Sequence, residues 1–479
     1  MQLKELIACL QPISVRGDLS VEITGIQFDS RLVQQGNLFV ATTGTTVDGH
    51  DYIGQALAAG AVAVVCERMV DVEIECCVLV PSSSKALGRI ASCWFGQPSE
   101  HLTLVGVTGT NGKTTVATLL YRLMRAMGKK VGLLSTVCNY VDDKPIASTH
   151  TTPDALELNS LLSEMVNAGC EYAFMEVSSH AIAQNRIEGL DFDGAIFTNL
   201  TRDHIDFHKT FDNYRDTKKS FFDNLKPEAF AVTNKDDKNG LVMMQNTKAK
   251  VKTYSMQSVA DYQAQIIEED FDGMLLTINR REVFVPLVGR FNAYNILAIY
   301  GAALSLGLEQ EDVLRIISTL HPVNGRFDTI RSPRGWTAIV DYAHTPDAVE
   351  NVINTINDIR KSNTHLITVV GCGGNRDKGK RPMMASIARR GSTKLILTSD
   401  NPRNEDPKNI LHDMLEGLSE KERQDTLVIE DRQSAIQTAC ALAQKDDVIL
   451  VAGKGHEDYQ IINGVKHHFD DHEVIRQYI

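Results

Sequence analysis

No apolar run in this chain approaches the ~20 residues that a membrane-spanning helix needs, and the opening "MQLKELIACL" reads as an amphipathic helix rather than a signal peptide. Cysteine is sparse and unpatterned: nine residues, with no CxxC and no Cys/His spacing that would hold a metal. Such thiols are expected to be reduced core filler of a cytoplasmic protein. A basic field is also missing. The formal net charge of −12 excludes a general binder of nucleic acid or membrane surfaces, and leaves only local clusters such as "RDKGKRP" to meet a small anion. Neither an internal repeat nor a low-complexity tract interrupts the chain.

What is present is an ordinary globular composition, 43% hydrophobic and 23% charged, in 479 residues, too long for one core. Three α/β segments are expected. Residues 1–98 carry short strands ("ITGIQFDS", "NLFVAT", "AVAVVC", "CVLVP") with helices between some of them. Residues 99–332 begin with a strand, a Gly-rich turn and a helix, and add the buried-strand candidates "KVGLLS", "YAFMEV", "GAIFTN" and "EAFAVTN". The Pro/Gly/Arg-rich "HPVNGRFDTIRSPRGW" reads as a linker. Residues 333–479 alternate single strands with single helices, which implies a Rossmann-like, mostly parallel sheet with right-handed crossovers. In such sheets ligands bind beyond the carboxyl ends of the strands. The polar loops "DYAH", "GCGGNRDKGK", "TSDNPRNED" and "AGKGHED" all follow apolar strands and should converge on one cleft.

"LTLVGVTGTNGKTTV" has the parts of a phosphate-binding loop. Gly109, Thr110, Asn111 and Gly112 let backbone N–H groups approach phosphate oxygens. Lys113 reaches the terminal phosphates, Thr114 can hold Mg²⁺ through its hydroxyl, and Thr115 continues into the helix. Val107 breaks the usual Gly-x-x-x-x-Gly-Lys spacing, which counts against a GTPase or generic ATPase. Two later strands end in Glu176 and in Asp203, His204, Asp206 and His208; Glu176 and His204 together suit a Mg²⁺ beside the nucleotide. Lys218 and Lys219 lie on a predicted helix, where such a pair is usually a solvated face. Asn292 and Asn295 sit at a helix start, as caps or as contacts to adenine or ribose.

Taken in order, "GVTGTNGKTT", "MEVSSHAIAQNRI", "TNLTRDHIDFH", "GRFNAYNILA", "NGRFD", "DYAHTPDA" and "GCGGNRDKGKRP" resemble the Mur ligases, the ATP-dependent amide ligases of peptidoglycan precursor synthesis, over nearly the whole chain. "DNPR" points to the members that add meso-diaminopimelate to UDP-N-acetylmuramoyl-L-alanyl-D-glutamate. The resemblance implies an N-terminal nucleotide-sugar domain, a central ATP-binding domain and a C-terminal domain that binds the amino acid. It places Lys218 on the family's carbamylated lysine, whose carbamate helps hold a second Mg²⁺. It makes Asn295, Arg326, Asp341 and His344 ATP-contacting positions. By the same resemblance Ser30 in "FDSR" contacts the uridine end, and Thr151, Thr152, Ser178, Gln184 and Arg186 contact the muramoyl-peptide.

The implied reaction phosphorylates a carboxylate with ATP, and an amine then attacks the acyl phosphate, with Lys113, Lys218, His204 and Glu176 in the catalytic set. His208 and His344 are candidates for the base that deprotonates the amine. For the distal end of diaminopimelate, the loop with Asp400, Asn401, Pro402 and Arg403 offers a planar fork to a carboxylate, with Arg376 as a second cation. Glu457, beside Gly453, would accept from the distal ammonium, and the acids around Arg403 would partly hold its guanidinium. All partners are small molecules and the enzyme is expected to be a monomer. Two rivals remain: a ligase of the same fold resembling folylpolyglutamate synthase, against which "DNPR" and "FDSR" count, and a nucleotide-switched binding module.

Overall fold

A computed structural model describes residues 1–44 and 47–479, and it contains three separate sheets flanked by helices and a small C-terminal hairpin. The first sheet runs in the order Ser14–Arg16, Cys77–Leu79, Ala63–Cys66, Asn37–Val40, Gly25–Gln27; all neighbours are parallel except the first pair. Asn37–Val40 and Ala63–Cys66 are buried at every position, which is why they read as unbroken apolar runs. "ITGIQFDS" contributes only three residues, Gly25–Gln27, to its strand.

The central sheet has eleven strands. At its heart Thr103–Thr108 lies between Tyr172–Glu176 and Gly194–Phe197, all three parallel, so three strand ends open on one side. Helix Lys113–Ala126 and helix Arg290–Ser305 cover one face and share a core of Val116, Leu119, Leu120, Ile296 and Tyr300. The sequence reading did not anticipate the antiparallel extension Tyr262–Asp270, Gly273–Ile278, Arg281–Val285.

The third sheet is ordered Asp328–Arg331, Thr337–Asp341, Val448–Ala452, Leu366–Val370, Lys394–Leu397, Leu427–Val428, and only its first pair is antiparallel. Its strand ends carry Asp341, the Gly371–Gly374 loop, the Asp400–Arg403 loop and Gly453, as the rule for open α/β sheets requires. The hairpin Tyr459–Ile462/Val465–His468 follows, and the backbone of Arg403 pairs with it: Arg403 N donates to Ile461 O (2.9 Å) and Asn463 N to Arg403 O (2.6 Å). All nine cysteines are free thiols. Among the described residues no helix is long and apolar enough to cross a membrane.

Candidate active site

The phosphate loop is bent by two glycines in the left-handed region, Gly109 (φ +149°) and Gly112 (φ +86°). At Gly112 a Cβ would also stand 2.5 Å from Asn295 Oδ1, so glycine is needed for both backbone and space. Lys113 opens the helix, and its Nζ donates to the carbonyls of Gly109 (3.0 Å) and Thr110 (2.8 Å). The loop is braced from below by Asn111 N donating to Asn199 Oδ1 (2.9 Å) and by Thr198 Oγ1 donating to Asn111 O (2.6 Å). Thr114 and Thr115 are buried behind it.

Glu176, Asp203, His204 and Lys218 gather around this loop. Glu176 is buried at its strand end, with Oε1 accepting from Thr136 N (2.7 Å). His204 keeps 40% of its side-chain surface, with Nε2 3.3 Å from Asp203 Oδ2. Desolvation, with His180, Lys113 and Lys218 nearby, outweighs Asp203 and lowers the His204 pKa to about 3, so the ring is neutral. Burial works against the Asp203 carboxylate, but His204, His344 and Lys380 prevail and hold it below its ordinary range. Lys218 is only 1% exposed, far from a solvated face. Its Nζ donates to Gly109 O (2.8 Å) and Thr108 Oγ1 (3.2 Å), and burial, reinforced by Lys113, drives its pKa well down. Lys219, by contrast, pairs with Asp223 one turn along the same helix (2.7 Å).

A carboxylate, a neutral imidazole and the Thr114 hydroxyl are suitable donors for Mg²⁺. Among the described residues no three His, Cys, Asp or Glu side chains stand close enough to hold a metal alone, so water and phosphate oxygens would complete its shell.

Opposite the loop, the C-terminal domain closes a cleft of about 530 Å³, lined among others by Lys113, Glu176, His204, Asn295, Arg326 and Asp341. Arg326 Nη2 donates to Thr114 Oγ1 (3.1 Å), and its guanidinium lies 4.4 Å from the Tyr342 ring centroid. Asp341 is buried, which raises its pKa against the pull of Arg326; it accepts from Phe327 N (2.6 Å) and Ala343 N (2.7 Å). His344 is kept neutral, its pKa lowered to about 4 by burial and then by Lys380. Of the two candidate bases, His344 lines this cleft, whereas His208 is buried against Ser179 Oγ (3.0 Å).

Thr152, Ser178, Gln184 and Arg186 form one network beside Glu176. Thr152 Oγ1 donates to Glu176 O (2.7 Å), Ser178 N donates to Thr152 Oγ1 (3.1 Å), and Arg186 bridges Thr152 O (2.7 Å) and Gln184 Oε1 (2.9 Å). Thr151 joins through Thr136 (3.0 Å). Ser30 is apart from them in the first domain, donating to Gln55 Oε1 (3.1 Å).

The loops after Val370 and Leu397 interlock. Arg403 has φ +55° and donates from Nη1 to Gly374 O (2.9 Å). Burial lowers its pKa and Arg376, a second nearby cation, lowers it further. Asn401 Nδ2 donates to Glu457 Oε2 (2.7 Å), and at Gly453 (φ +118°) a Cβ would lie 2.5 Å from Asp400 Oδ2. The expectation that neighbouring acids hold Arg403 is corrected: Glu405 is taken by Arg381, Asp406 caps helix Pro407–Leu415 through Lys408 N, and Glu416 faces His412. Backbone carbonyls hold the guanidinium instead; no carboxylate pairs with it directly, and Asp400 and Glu457 act on its charge only from a distance.

Three family models match: the Mur ligase family catalytic domain over residues 22–92, the Mur ligase middle domain over 107–303, and the Mur ligase glutamate ligase domain over 325–455. A relative from Parabacteroides distasonis, UDP-N-acetylmuramoyl-L-alanyl-D-glutamate--2,6-diaminopimelate ligase, is 60% identical over 479 residues, 100% of this chain and 99% of its own. The chain belongs to the Mur ligase family. The protein of the same name from Bacteroides thetaiotaomicron is 57% identical with the same coverage. A solved structure of a ligase with that name superposes with a TM-score of 0.70 at 34% identity, covering 100% of this chain and 98% of that one. The Mur ligase fold is shared as well by a MurF from Thermotoga maritima in complex with ADP, at TM-score 0.60 and 21% identity over 90% of this chain and 94% of that one.

In this Mur ligase, sequence reasoning missed Asp347 in the cleft and Lys454 and Arg381 behind the amino-acid loops. Asp347 accepts from Asn111 Nδ2 (2.9 Å) and joins the C-terminal domain to the phosphate loop; its place after "DYAHTP" at a helix start was the available signal. Lys454 is fully buried between Asn401 Oδ1 (3.4 Å), Glu457 Oε2 (3.2 Å) and the Tyr459 carbonyl. Arg381, also fully buried, braces the two amino-acid loops. Neither basic residue is distinguishable from a surface cation by sequence pattern.

Proposed function

We propose that this chain joins meso-diaminopimelate to the D-glutamate carboxylate of UDP-N-acetylmuramoyl-L-alanyl-D-glutamate at the expense of ATP, acting as a cytoplasmic monomer in peptidoglycan precursor synthesis. The observation that carries the choice of amino acid is Arg403, with no carboxylate hydrogen-bonded to it, Arg376 near it and Glu457 and Asp400 alongside. One end of a diamino-diacid thus finds cations for its carboxylate and anions for its ammonium.

The cleft suits phosphoryl transfer followed by amide formation. ATP phosphates lie against the N–H groups of Gly109–Lys113, with the Lys113 ammonium at the transferring group and Arg326 across the cleft. The carboxylate of the acceptor, held by the Thr152–Arg186 network, attacks the γ-phosphorus to give an acyl phosphate and ADP. The amino acid, anchored by Arg403, presents its free amine to the acyl carbon, and phosphate leaves. His344, neutral and in the cleft, is able to take the amine's proton. Mg²⁺ bound by Thr114, Glu176 and His204 would neutralise phosphate charge. Lys218 suits carbamylation because an amine kept neutral by burial is nucleophilic toward CO₂, forming a carbamate with loss of one proton.

ADP release is the test. It should require both the UDP-muramoyl-dipeptide and diaminopimelate; ATP hydrolysis that ignores both would remove the ligase reading.

A further inference from the structure

Arg381 is a charged side chain with no exposure, and none of the chemistry above uses it. It stands on the first turn of helix Lys380–Gly391. Its Nη1 donates to Glu405 Oε2 (3.0 Å) and Asp413 Oδ2 (2.7 Å); its Nη2 donates to Glu405 Oε1 (3.1 Å) and Gly373 O (3.2 Å). Glu405 also accepts from Asn375 N, the residue beside Arg376. One guanidinium therefore ties the loop that carries Arg376 to the loop that carries Arg403.

The charges matter more than the tether. Glu405 lies two residues from Arg403 in sequence and its backbone neighbours touch both cations' loops. Asp400 and Glu457 are the acids that act on Arg403 where it stands; Glu405, packed against Gly374, whose carbonyl Arg403 holds, is a further carboxylate beside the two loops. Arg381 holds both its oxygens, and with Lys378 at 3.7 Å keeps the Glu405 pKa low, so the acid stays charged and occupied elsewhere.

We infer that Arg381 is a positioning and specificity-determining residue for the amino-acid substrate: by sequestering Glu405 it keeps Arg403 and Arg376 open for the ligand's carboxylate. Without Arg381, Glu405 keeps only the exposed Lys378 and the Asn375 N–H, and the freed carboxylate can turn toward Arg403. The receptor would then be filled by the protein itself.

The inference rests on the proposed amino-acid ligase activity, and steady-state assays separate the two. Wild-type enzyme that shows no diaminopimelate-dependent ADP release removes the activity itself. Given that activity, Arg381→Met should raise the KM for diaminopimelate about 10–100-fold, with KM for ATP and for the UDP-muramoyl-dipeptide unchanged. Adding Glu405→Gln should recover a substantial part of the loss, because an amide does not compete for Arg403. Arg381→Lys, which keeps the charge if the Met variant does not fold, should show a smaller rise that Glu405→Gln again lowers. An unchanged KM in the single variants, or a double variant as poor as the single, would overturn the inference and leave Arg381 a packing residue.

Discussion

Lys218 and Lys219 are adjacent on one helix and meet opposite surroundings. Lys218 points into the phosphate loop with its charge suppressed, whereas Lys219 makes an i,i+4 pair with Asp223. Lys218→Ala is expected to be nearly inactive in ADP release and partly rescued by added short carboxylic acids, which supply the anion a carbamate would provide. Lys219→Ala should lose little, since such pairs are worth about 0.3–0.5 kcal/mol. Activity in both variants would remove the carbamate from the mechanism. At Arg403 the hydrogen-bond partners are carbonyls, so Arg403→Ala breaks no direct carboxylate pair. It should cost about 2–5 kcal/mol in kcat/KM for diaminopimelate and leave the KM for ATP near its wild-type value. A wild-type kcat/KM would show that the ligand's carboxylate is bound elsewhere.

Between elements, the decisive contacts are close approaches that only small residues permit. Gly112 joins the strand Thr103–Thr108 to its helix while touching Asn295 on a second helix. Gly112→Ala combines a strained positive φ with a collision against Asn295, so the loop must shift from the phosphates. The expected result is a fall in turnover on the order of 10²-fold with the far-UV spectrum intact; near-normal turnover would mean that the loop tolerates displacement. The sequence revealed this element because a buried parallel strand reads as an apolar run and its polar turn stands out after it. It did not reveal the extension Tyr262–Val285, whose first strand carries "EED" at its end and breaks register between Ile266 and Glu268, so that its alternation is interrupted. In "YRDTKKSFF" Lys218 stands four residues after Tyr214 and three and four before Phe221 and Phe222, on the apolar face that is buried, so its inward aim was legible in the spacing although a lysine pair reads as a solvated face. The loop "DNPRNED" disclosed its Arg but not its partners: Glu405 is claimed by Arg381, far off in sequence.

At the scale of the whole molecule, the active cleft exists only where two domains meet, and two half-buried histidines lie there, His344 in the cleft and His456 against the Tyr342 ring. The pKa of His344 is lowered to about 4, and that of His456 to about 3, in each case chiefly by burial. A histidine with a depressed folded pKa binds its proton more readily when unfolded, so stability is full above about pH 6.5 and declines as pH falls toward 4. Each such group contributes up to about 1.4 kcal/mol per pH unit within that window. Urea denaturation at pH 7.5, 6.5 and 5.5 should show the loss starting above the range of ordinary carboxylates, and His456→Gln should flatten it. A stability independent of pH across this range would mean that these rings are not kept neutral.

We propose that the pair of guanidiniums at the mouth of the C-terminal sheet selects the amino acid. L-lysine has the length and distal ammonium of meso-diaminopimelate but lacks the distal carboxylate, so it would leave Arg403 desolvated and unpaired. The most direct test is kcat/KM for the two amino acids in ADP release, at saturating ATP and UDP-muramoyl-dipeptide. A preference for meso-diaminopimelate of about 10⁴–10⁵ is expected; comparable use of L-lysine would contradict the account.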